Sequence, residues 1–405
     1  MRRPRMLGGE AIVLVVVVSM ALVAGCVSGD RDDPVGRPRP STVGTAHDDP
    51  PAPESAGGPA LLPGMPPPLD PGDVYAADRP GMLSAAVRGD PALVYVPNSQ
   101  SNTVDAIDQR TYRIIRQFPT GAEPQHVTPS WDLRRLWVGN DQGNSLTPIN
   151  PRTGKPGRRV RVFDPYNLYF TPDGRSAVVV AERLGRLDFR DPHTMALRHA
   201  LTVPCKGVDH MDFSANGRYA IVSCEFSGQL LKVGIDGDAK GERVLGSLRL
   251  RGRSPMPQDV KLSPDGRVFY VADMAAGGVW LVDGDAFKVI GFVATGRGAH
   301  GLYASRDSRT LYVSNRAAGS ISLLSFATRK VVATWHLRGG SPDMGGVSAD
   351  GKVLWLSGRY NGEVYAIDTR SGRLLARIPV GAGPHGLCVY PQPGRYSLGH
   401  TGVFR

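Results

Sequence analysis

Short apolar stretches separated by turn residues recur about every 42 residues along most of the chain. Within each copy, β-branched and aromatic residues alternate with polar ones, which is the period-two pattern of antiparallel strands. Copies begin with a first strand and its tight turn at residues 121–140, 164–181, 208–224, 257–273, 298–315 and 342–358. Four short strands in a unit of about 40–45 residues are typical of a β-propeller.

The two ends of the chain share one further copy of the repeat. The chain enters the repeat at a second strand (92–98) and ends with an isolated first strand within 383–394. Pairing these strands would complete one more sheet and close the ring, which removes exposed sheet edges. The sequence therefore predicts an all-β, seven-bladed β-propeller over residues 83–405, with blade one completed by the C-terminal strand.

The second strands of several copies resemble the tetrapeptide of the YVTN family of propeller repeats. The matching segments are FYVAD (269–273), LYVSN (311–315), LWVGN (136–140) and LVYVPN (93–98). The resemblance covers residues 92–394 and implies the propeller fold. Similar propellers carry modified haem in periplasmic nitrite reductases and their maturation proteins, or form the large subunits of amine dehydrogenases. The resemblance therefore also implies a redox role as one alternative.

The N-terminal residues have the pattern of an export signal. Three arginines within the first five residues precede an apolar run at 11–24 that is short for a membrane span. The run ends in Val-Ala-Gly-Cys at Cys26, which closely resembles the lipobox of bacterial lipoproteins. The resemblance implies a signal peptide over 1–25, cleavage before Cys26 and acylation of its thiol. We therefore expect the mature chain to be lipid-anchored on the extracytoplasmic face of the membrane; an ordinary signal peptide with a chance cysteine is the alternative.

Residues 26–82 differ sharply in composition from the repeats. They are rich in Pro, Gly, Ser and Asp, and such a composition leaves too little apolar surface to form a core. The sequence predicts a disordered, partly polyproline-II tether between the anchor and the propeller. An alternative is that residues 73–82 wrap around the rim of the ring.

The formal net charge of +11 comes mostly from arginine, which greatly outnumbers lysine. This bias indicates a GC-rich and plausibly actinobacterial genome. No dense basic run with interleaved aromatic residues is present in the sequence, so we expect no nucleic-acid partner. We expect a monomer.

Several polar residues recur where the first strands enter the central channel. His126, His210 and Asp259 occupy one position of the repeat, and His300, Asp343 and His385 occupy the position before it. Such a channel mouth could bind a metal ion, a haem-like macrocycle or an acidic ligand. The alternative is that Pro-His-Gly is a purely structural feature of the repeat, in which each histidine caps the carbonyl groups of neighbouring loops. Because adjacent strand residues point to opposite faces, His300 and His385 need not converge with His126 and His210, and this favours the structural alternative.

The loops between second and third strands surround the same mouth. Arg183, Arg316 and Arg359 lie in these loops and could contact an anionic partner through their guanidinium groups. A solvated rim is the alternative.

The remaining cysteines divide into a pair and a single thiol. Cys205 and Cys224 flank one hairpin, so we predict a disulfide between them in an oxidising compartment. The alternative is that a cysteine and His210 together bind a metal ion. Cys388, in the middle of the closing strand, is predicted to be a buried free thiol.

The sequence contains no recognisable catalytic motif, so no catalytic residue and no firm cofactor are predicted. The interpretation favoured by the sequence is a lipid-anchored binding or scaffold module that presents one face to a protein, cell-wall or small-molecule partner. The first alternative is a redox-associated propeller with a haem-like or metal cofactor at the channel mouth. A lactonase-like metal hydrolase is a further alternative, for which Asp209, Asp259 and Asp343 are the available carboxylates.

Overall fold

A computed structural model describes residues 60–237, 241–400 and 402–405. The predicted signal peptide and Cys26 lie outside these residues. Two short 3-10 helices are present at Ala76–Asp78 and Glu225–Ser227. The strands, in chain order, are β1 (Leu93–Asn98), β2 (Thr103–Asp108), β3 (Arg113–Pro119), β4 (Pro124–Pro129), β5 (Leu136–Asn140), β6 (Ser145–Asn150), β7 (Lys155–Pro156), β8 (Val160–Arg161), β9 (Asn167–Phe170), β10 (Ala177–Ala181), β11 (Arg186–Arg190), β12 (Leu197–Thr202), β13 (Val208–Phe213), β14 (Tyr219–Cys224), β15 (Gln229–Gly234), β16 (Arg243–Arg249), β17 (Pro257–Leu262), β18 (Val268–Asp273), β19 (Gly278–Asp283), β20 (Lys288–Ala294), β21 (Ala299–Ala304), β22 (Thr310–Asn315), β23 (Ser320–Ser325), β24 (Lys330–His336), β25 (Pro342–Val347), β26 (Val353–Gly358), β27 (Glu363–Asp368), β28 (Leu374–Pro379), β29 (Cys388–Tyr390), β30 (Ser397–Gly399) and β31 (Val403–Phe404).

The described residues form seven antiparallel sheets, one for each predicted blade. Blades four to seven are simple meanders, β13 to β16, β17 to β20, β21 to β24 and β25 to β28. Blade two contains β4 to β7, with β8 also paired to β6. The first strands of neighbouring blades contact each other around the axis, so they line the central channel.

Blade one is closed by both ends of the repeat region, as the sequence predicts. Strand β29 pairs with β1 through Leu93 with Tyr390 and Tyr95 with Cys388. Cys388 is buried and is the one free cysteine among the described residues. The seven-bladed, all-β architecture is therefore confirmed.

Apolar side chains from the facing sheets of adjacent blades form the core. Between blades seven and one, for example, Val94 and Val389 pack with Trp355 and Ile378, all at most 6% exposed. Comparable clusters lie between the other neighbouring blades. Each blade thus buries both faces only when its neighbours are present.

The prediction of a disordered tether is wrong for residues 60–82, which form an ordered strap on the propeller. The backbone N–H of Leu62 donates to Asn216 O at 2.8 Å, and that of Val74 donates to Pro264 O at 2.8 Å. Asp78 pairs with Arg306 at 2.5 Å. The prediction used the average composition of 26–82, which is polar, although part of this segment contains apolar residues that pack on the ring. Leu62 and Tyr75 are only 1% and 2% exposed. The alternative of a wrapped N-terminal arm holds for 73–82.

We expect Tyr75→Ala to destabilise the propeller by about 3 kcal/mol, because it empties a buried aromatic site. It also removes the hydrogen bond from Tyr75 Oη to Leu262 O at 2.6 Å. Leu69→Ala is a matched control on the same strap, since Leu69 is 51% exposed. Denaturant unfolding measures both changes. Equal stability of the two variants would contradict an ordered strap.

The residues after the closing strand form a tail that enters the channel. Strand β30 pairs with β31 and with the first strand of blade three, β9. The backbone N–H of His400 donates to Leu168 O at 2.8 Å, and Arg405 Nη2 donates to Asp212 Oδ1 at 3.0 Å. Gly399 has φ +96°, and a Cβ there would overlap the Tyr169 backbone, so the close approach of the tail requires glycine.

The structure contains a disulfide between Cys205 and Cys224, with the Cα atoms 6.1 Å apart and a sequence separation of 19. We expect the double serine variant to lose about 3 kcal/mol of unfolding free energy, because its unfolded chain is no longer cross-linked. Denaturant unfolding with and without reductant tests this. Reductant should lower the stability of the natural chain and leave that of the variant unchanged; an equal response of both proteins would refute the bond.

No helix within the described part of the chain is both long and apolar enough to cross a membrane.

Candidate functional site

Five of the seven first strands, those of blades two, four, five, six and seven, carry one extra residue at the end of the channel where the repeated histidine position lies. In blade four, Val208 pairs with Cys224 and Met211 pairs with Val222. The same irregularity occurs in blades two, five, six and seven. A β-bulge of this kind re-aims the neighbouring side chains, so two consecutive residues can both face the channel. Strand alternation therefore does not keep the two sets of histidines apart in these blades.

Five of the described histidines converge at this end of the channel, which we call the channel mouth. The His126 ring centroid lies 5.5 Å from that of His210, 4.9 Å from His385 and 5.1 Å from His400. His300 lies 6.1 Å from His210 and 5.8 Å from His385. All five are at most 2% exposed. The four predicted histidines are thus brought together, and His400 joins them.

His400 was missed because it comes from the C-terminal tail and occupies no position of the repeat. Its sequence context, after the last strand of the ring, carries no signal of a ligand. Only the pairing of β30 with β9 places it beside His210, at a centroid distance of 4.7 Å. The tail therefore contributes a site residue as well as filling the channel.

A ligand atom from each of three histidines, His126, His210 and His400, lies within 4.8 Å of the other two. Within the described part of the chain, neither ring nitrogen of His126 has a hydrogen-bond partner. The same holds for Nε2 of His210. A buried polar atom without a partner costs about 1–3 kcal/mol, so such a cluster requires a physical explanation.

Carboxylates lie behind two of these three rings. Asp209 Oδ1 is 2.8 Å from His210 Nδ1, although the angle is outside hydrogen-bond geometry. Asp259 Oδ1 is 3.6 Å from His400 Nε2, and the Asn167 amide lies 3.2 Å from His400 Nδ1. Asp259 also accepts the backbone N–H groups of Val260 and Leu302. This predicted site residue therefore braces two first strands and orients His400.

Asp343 organises the other side of the mouth. His385 Nδ1 donates to Asp343 Oδ2 at 2.8 Å, and His300 Nδ1 lies 3.3 Å from Oδ1. Arg316 donates to Oδ1 from Nε at 2.8 Å and from Nη2 at 2.5 Å. Arg316 is only 9% exposed, so it is a buried partner of Asp343 and not a solvated rim residue.

The other two predicted rim arginines differ from each other. Arg183 pairs with Asp141 at 3.3 Å and with Asp164 at 2.8 Å, so its charge is already neutralised. Arg359 is half-buried, and its Nη1 has no hydrogen-bond partner among residues 60–237, 241–400 and 402–405. Among these three arginines, only Arg359 has a buried N–H group that could donate a hydrogen bond to a molecule bound at the mouth.

Most imidazoles at the mouth are neutral at neutral pH. Burial lowers the pKa of His126, His300 and His385 well below the usual value, and nearby positive or imidazole groups lower it further. Burial lowers the pKa of His400 to about 4 despite Asp259. Burial acts in the same direction on His210, but the Asp209 carboxylate outweighs it and raises the pKa. Neutral imidazoles offer the lone pairs that metal ions bind.

Carboxylates concentrate on the side of the mouth formed by blades three and four. Burial raises the pKa of Glu182 to about 8 and that of Glu225 to about 7, and the Asp209 carboxylate is the next cause for both. Adjacent carboxylates that share one region disfavour each other's ionisation. This side of the mouth therefore favours a cation.

Glycine at the repeat position makes room for the central imidazole. Gly386, which precedes β29, forms an isolated parallel β-bridge with His126. A Cβ at Gly386 would overlap the His126 ring. The glycine at this position before β29 thus accommodates the His126 ring that blade two supplies.

Comparison with known proteins gives a family and a fold. Residues 72–394 match the family model described as YNCE-like beta-propeller. No curated protein matches the chain in sequence. Similar solved structures include a functionally unknown protein from Desulfotomaculum acetoxidans, with 15% identity, 74% of this chain and 98% of that chain covered, and a TM-score of 0.64.

Two other similar structures are enzymes by name. The Kuenenia stuttgartiensis hydrazine synthase has 17% identity, with 70% of this chain and 96% of that chain covered and a TM-score of 0.60. The dihydro-haem d1 dehydrogenase NirN, in complex with DHE, has 18% identity, with 80% of this chain and 78% of that chain covered and a TM-score of 0.57. At these identities the likeness shows the fold alone.

Proposed function

The chain belongs to the YNCE-like beta-propeller family, and we propose that this member binds one transition metal ion at the channel mouth through His126, His210 and His400. The single observation that supports the proposal is the convergence of three buried imidazoles whose ligand atoms lie within 4.8 Å of one another. Fold alone would not support a site.

The geometry fits an ion after a small adjustment. Zinc binds imidazole nitrogen at about 2.0–2.1 Å, so tetrahedral ligand nitrogens lie about 3.4 Å apart. The three nitrogens, now within 4.8 Å, have at most about 1.4 Å to close. An ion would give His126 the partner that it lacks.

The donor set indicates the kind of ion. Imidazole suits Zn²⁺, Cu²⁺, Ni²⁺ and Fe²⁺, whereas Mg²⁺ and Ca²⁺ prefer oxygen ligands. Three protein ligands leave a tetrahedral ion one open position. The carboxylates Asp209 and Asp259, beside His210 and His400, would orient the two rings as outer partners. We assign no reaction to the ion.

A haem-like macrocycle fits this donor set less well than a bare ion. The macrocycle supplies its own equatorial ligands, so the iron takes protein ligands only at axial positions. Three imidazoles that converge on one point exceed those positions. The ring centroids at the mouth, 4.7 to 6.1 Å apart, leave space between them for an ion and not for a planar group of that size.

The metal site belongs, in this proposal, to a lipid-anchored binding module on the extracytoplasmic face of the membrane. The support is the N-terminal sequence, with its apolar run ending at Cys26. We expect Cys26→Ser to shift the protein from the membrane fraction to the soluble one, because acyl chains provide the anchoring energy. Fractionation of expressing cells tests this, and unchanged membrane association would contradict it.

Titration of chelator-stripped protein with Zn²⁺ tests the metal proposal. We expect one ion per chain and a higher midpoint of thermal unfolding, since a ligand at about 100 times its Kd stabilises the native state by about 2.7 kcal/mol. Absence of binding, or binding only to several weak sites without stabilisation, would overturn it.

A further inference from the structure

The outermost strand of blade two is interrupted. In each of the other blades this strand is continuous over six or seven residues, as in β3 and β20. Blade two has only the two-residue strands β7 and β8 at its edge, both paired with β6. A groove of about 580 Å³ lies at the interruption, lined by Pro148, Pro156 and Gly157 among others. This volume is within the range of small-molecule sites, about 300–1,000 Å³.

Basic side chains surround this groove, which we call the basic groove. Arg134 and Arg135 come from the turn before β5, and Lys155 and Arg158 come from the interrupted strand. All four side chains are exposed, and none of them forms an ion pair within the part of the chain that the structure describes. The guanidinium group of Arg135 lies over the Trp137 ring, 5.1 Å from its centre. This cation–π contact holds one of the four charges on the wall of the groove.

The nearest carboxylates do not neutralise these charges. Asp132 accepts hydrogen bonds from Ser130 Oγ at 2.6 Å and from the backbone N–H of Arg134 at 3.2 Å, and it does not line the groove. Asp191 lines the adjacent depression, where it pairs with Arg198 at 2.5 Å. If Asp132 offsets one of the four cations, three positive charges still remain around the groove. A cleft lined by charges of one sign concentrates ions of the opposite sign.

The donor groups indicate the kind of anion. An arginine side chain presents parallel N–H groups that match the oxygens of a phosphate, and lysine adds a compact positive charge. Asn150, Thr153 and Thr194 also line the groove and add uncharged hydrogen-bond donors. Several cations around one groove match a ligand with several adjacent negative charges better than a single carboxylate.

We propose that the basic groove binds a soluble ligand that carries two or more adjacent phosphate groups. The ligand is held by ion pairs and hydrogen bonds alone, and no covalent bond forms or breaks. Because the groove is at the outer edge of blade two, on the strands farthest from the channel, this inference does not depend on the proposed metal site.

Calorimetric titration of the full-length protein with inorganic tripolyphosphate tests the inference. The protein is first freed of metal with a chelator, because tripolyphosphate itself binds divalent ions. We expect one ligand per chain, with an affinity that falls as the salt concentration rises. Citrate, which carries several carboxylates but no phosphate, should bind at least about 10-fold more weakly, since three of the four cations are arginines.

Variants locate the binding site. The double variant Arg135→Gln and Arg158→Gln is expected to weaken tripolyphosphate binding roughly 10- to 100-fold, because charge-assisted hydrogen bonds are lost at an exposed site. The matched control is the double variant Arg113→Gln and Arg373→Gln, which removes the same total charge from exposed positions of blades one and seven. Its affinity should remain close to that of the natural chain.

Several outcomes would overturn the inference. Absence of tripolyphosphate binding, or equal affinity in the groove variant and the natural chain, contradicts a phosphate site in the groove. Citrate that binds as tightly as tripolyphosphate contradicts the choice of phosphate. Vesicles that contain phosphatidylglycerol and a single-stranded DNA oligonucleotide are tested in parallel. If either binds more tightly than tripolyphosphate and loses that binding in the groove variant, the groove is a membrane or nucleic-acid surface and the proposal is wrong.

Discussion

Deletion of residues 383–405 is expected to abolish the cooperative unfolding of the propeller. The deletion removes β29, so β1 keeps only β2 as a partner and blade one presents an open edge. It also removes Leu387 and Val389 from the core between blades seven and one, where they are at most 2% exposed. These losses together are comparable with the total stability of an ordinary domain, about 5–15 kcal/mol.

Circular dichroism and calorimetry measure this effect. A shorter deletion of 395–405 is the control, because it keeps the closing strand and removes only the tail. That variant should retain its β-sheet spectrum and a cooperative transition at a lower temperature, since the buried Tyr396 and Arg405 are lost. A normal transition in the longer deletion would show that the ring does not depend on β29.

His126→Leu is expected to lower Zn²⁺ affinity at least about 100-fold, because removal of even an outer partner of a metal ligand costs about 10- to 100-fold. The metal-free variant should be no less stable than the natural chain. His126 is 1% exposed, and in the described structure both of its ring nitrogens are without hydrogen-bond partners. Leucine removes that penalty while filling most of the space.

The combination of lost binding and retained stability separates a ligand from a structural histidine. His336→Ala is the matched control, because His336 is exposed on β24 and should leave both quantities unchanged. Calorimetric titration and denaturant unfolding supply the two measurements. A destabilised His126→Leu with normal Zn²⁺ affinity would mean that His126 is a core residue.

The architecture could be predicted from the sequence because each propeller repeat contains its own turn and strand signals. Each copy has a tight turn and alternating strands, and the isolated strand at 383–394 leaves only one way to complete blade one. The Cys205–Cys224 disulfide followed from the same local reasoning, because both residues flank one hairpin. In each case the relevant contacts lie within one repeat or between its obvious neighbours.

The site could be predicted only in part, because its geometry depends on departures from the repeat. The four histidines of the repeat were identified from the sequence. Their convergence depends on β-bulges, such as the one between Val208 and Met211, and no residue type predicts these. His400 lies beyond the last repeat and reaches the mouth through a pairing with β9 that has no counterpart in other blades. The strap at 60–82 was missed because composition was averaged over a longer segment.

Anomalous diffraction from crystals grown with Zn²⁺, with data collected at the zinc edge, would locate the bound ion. We expect one strong peak about 2.0–2.1 Å from a ring nitrogen of each of His126, His210 and His400. A peak elsewhere, or a map with no peak between these three imidazoles, would contradict it.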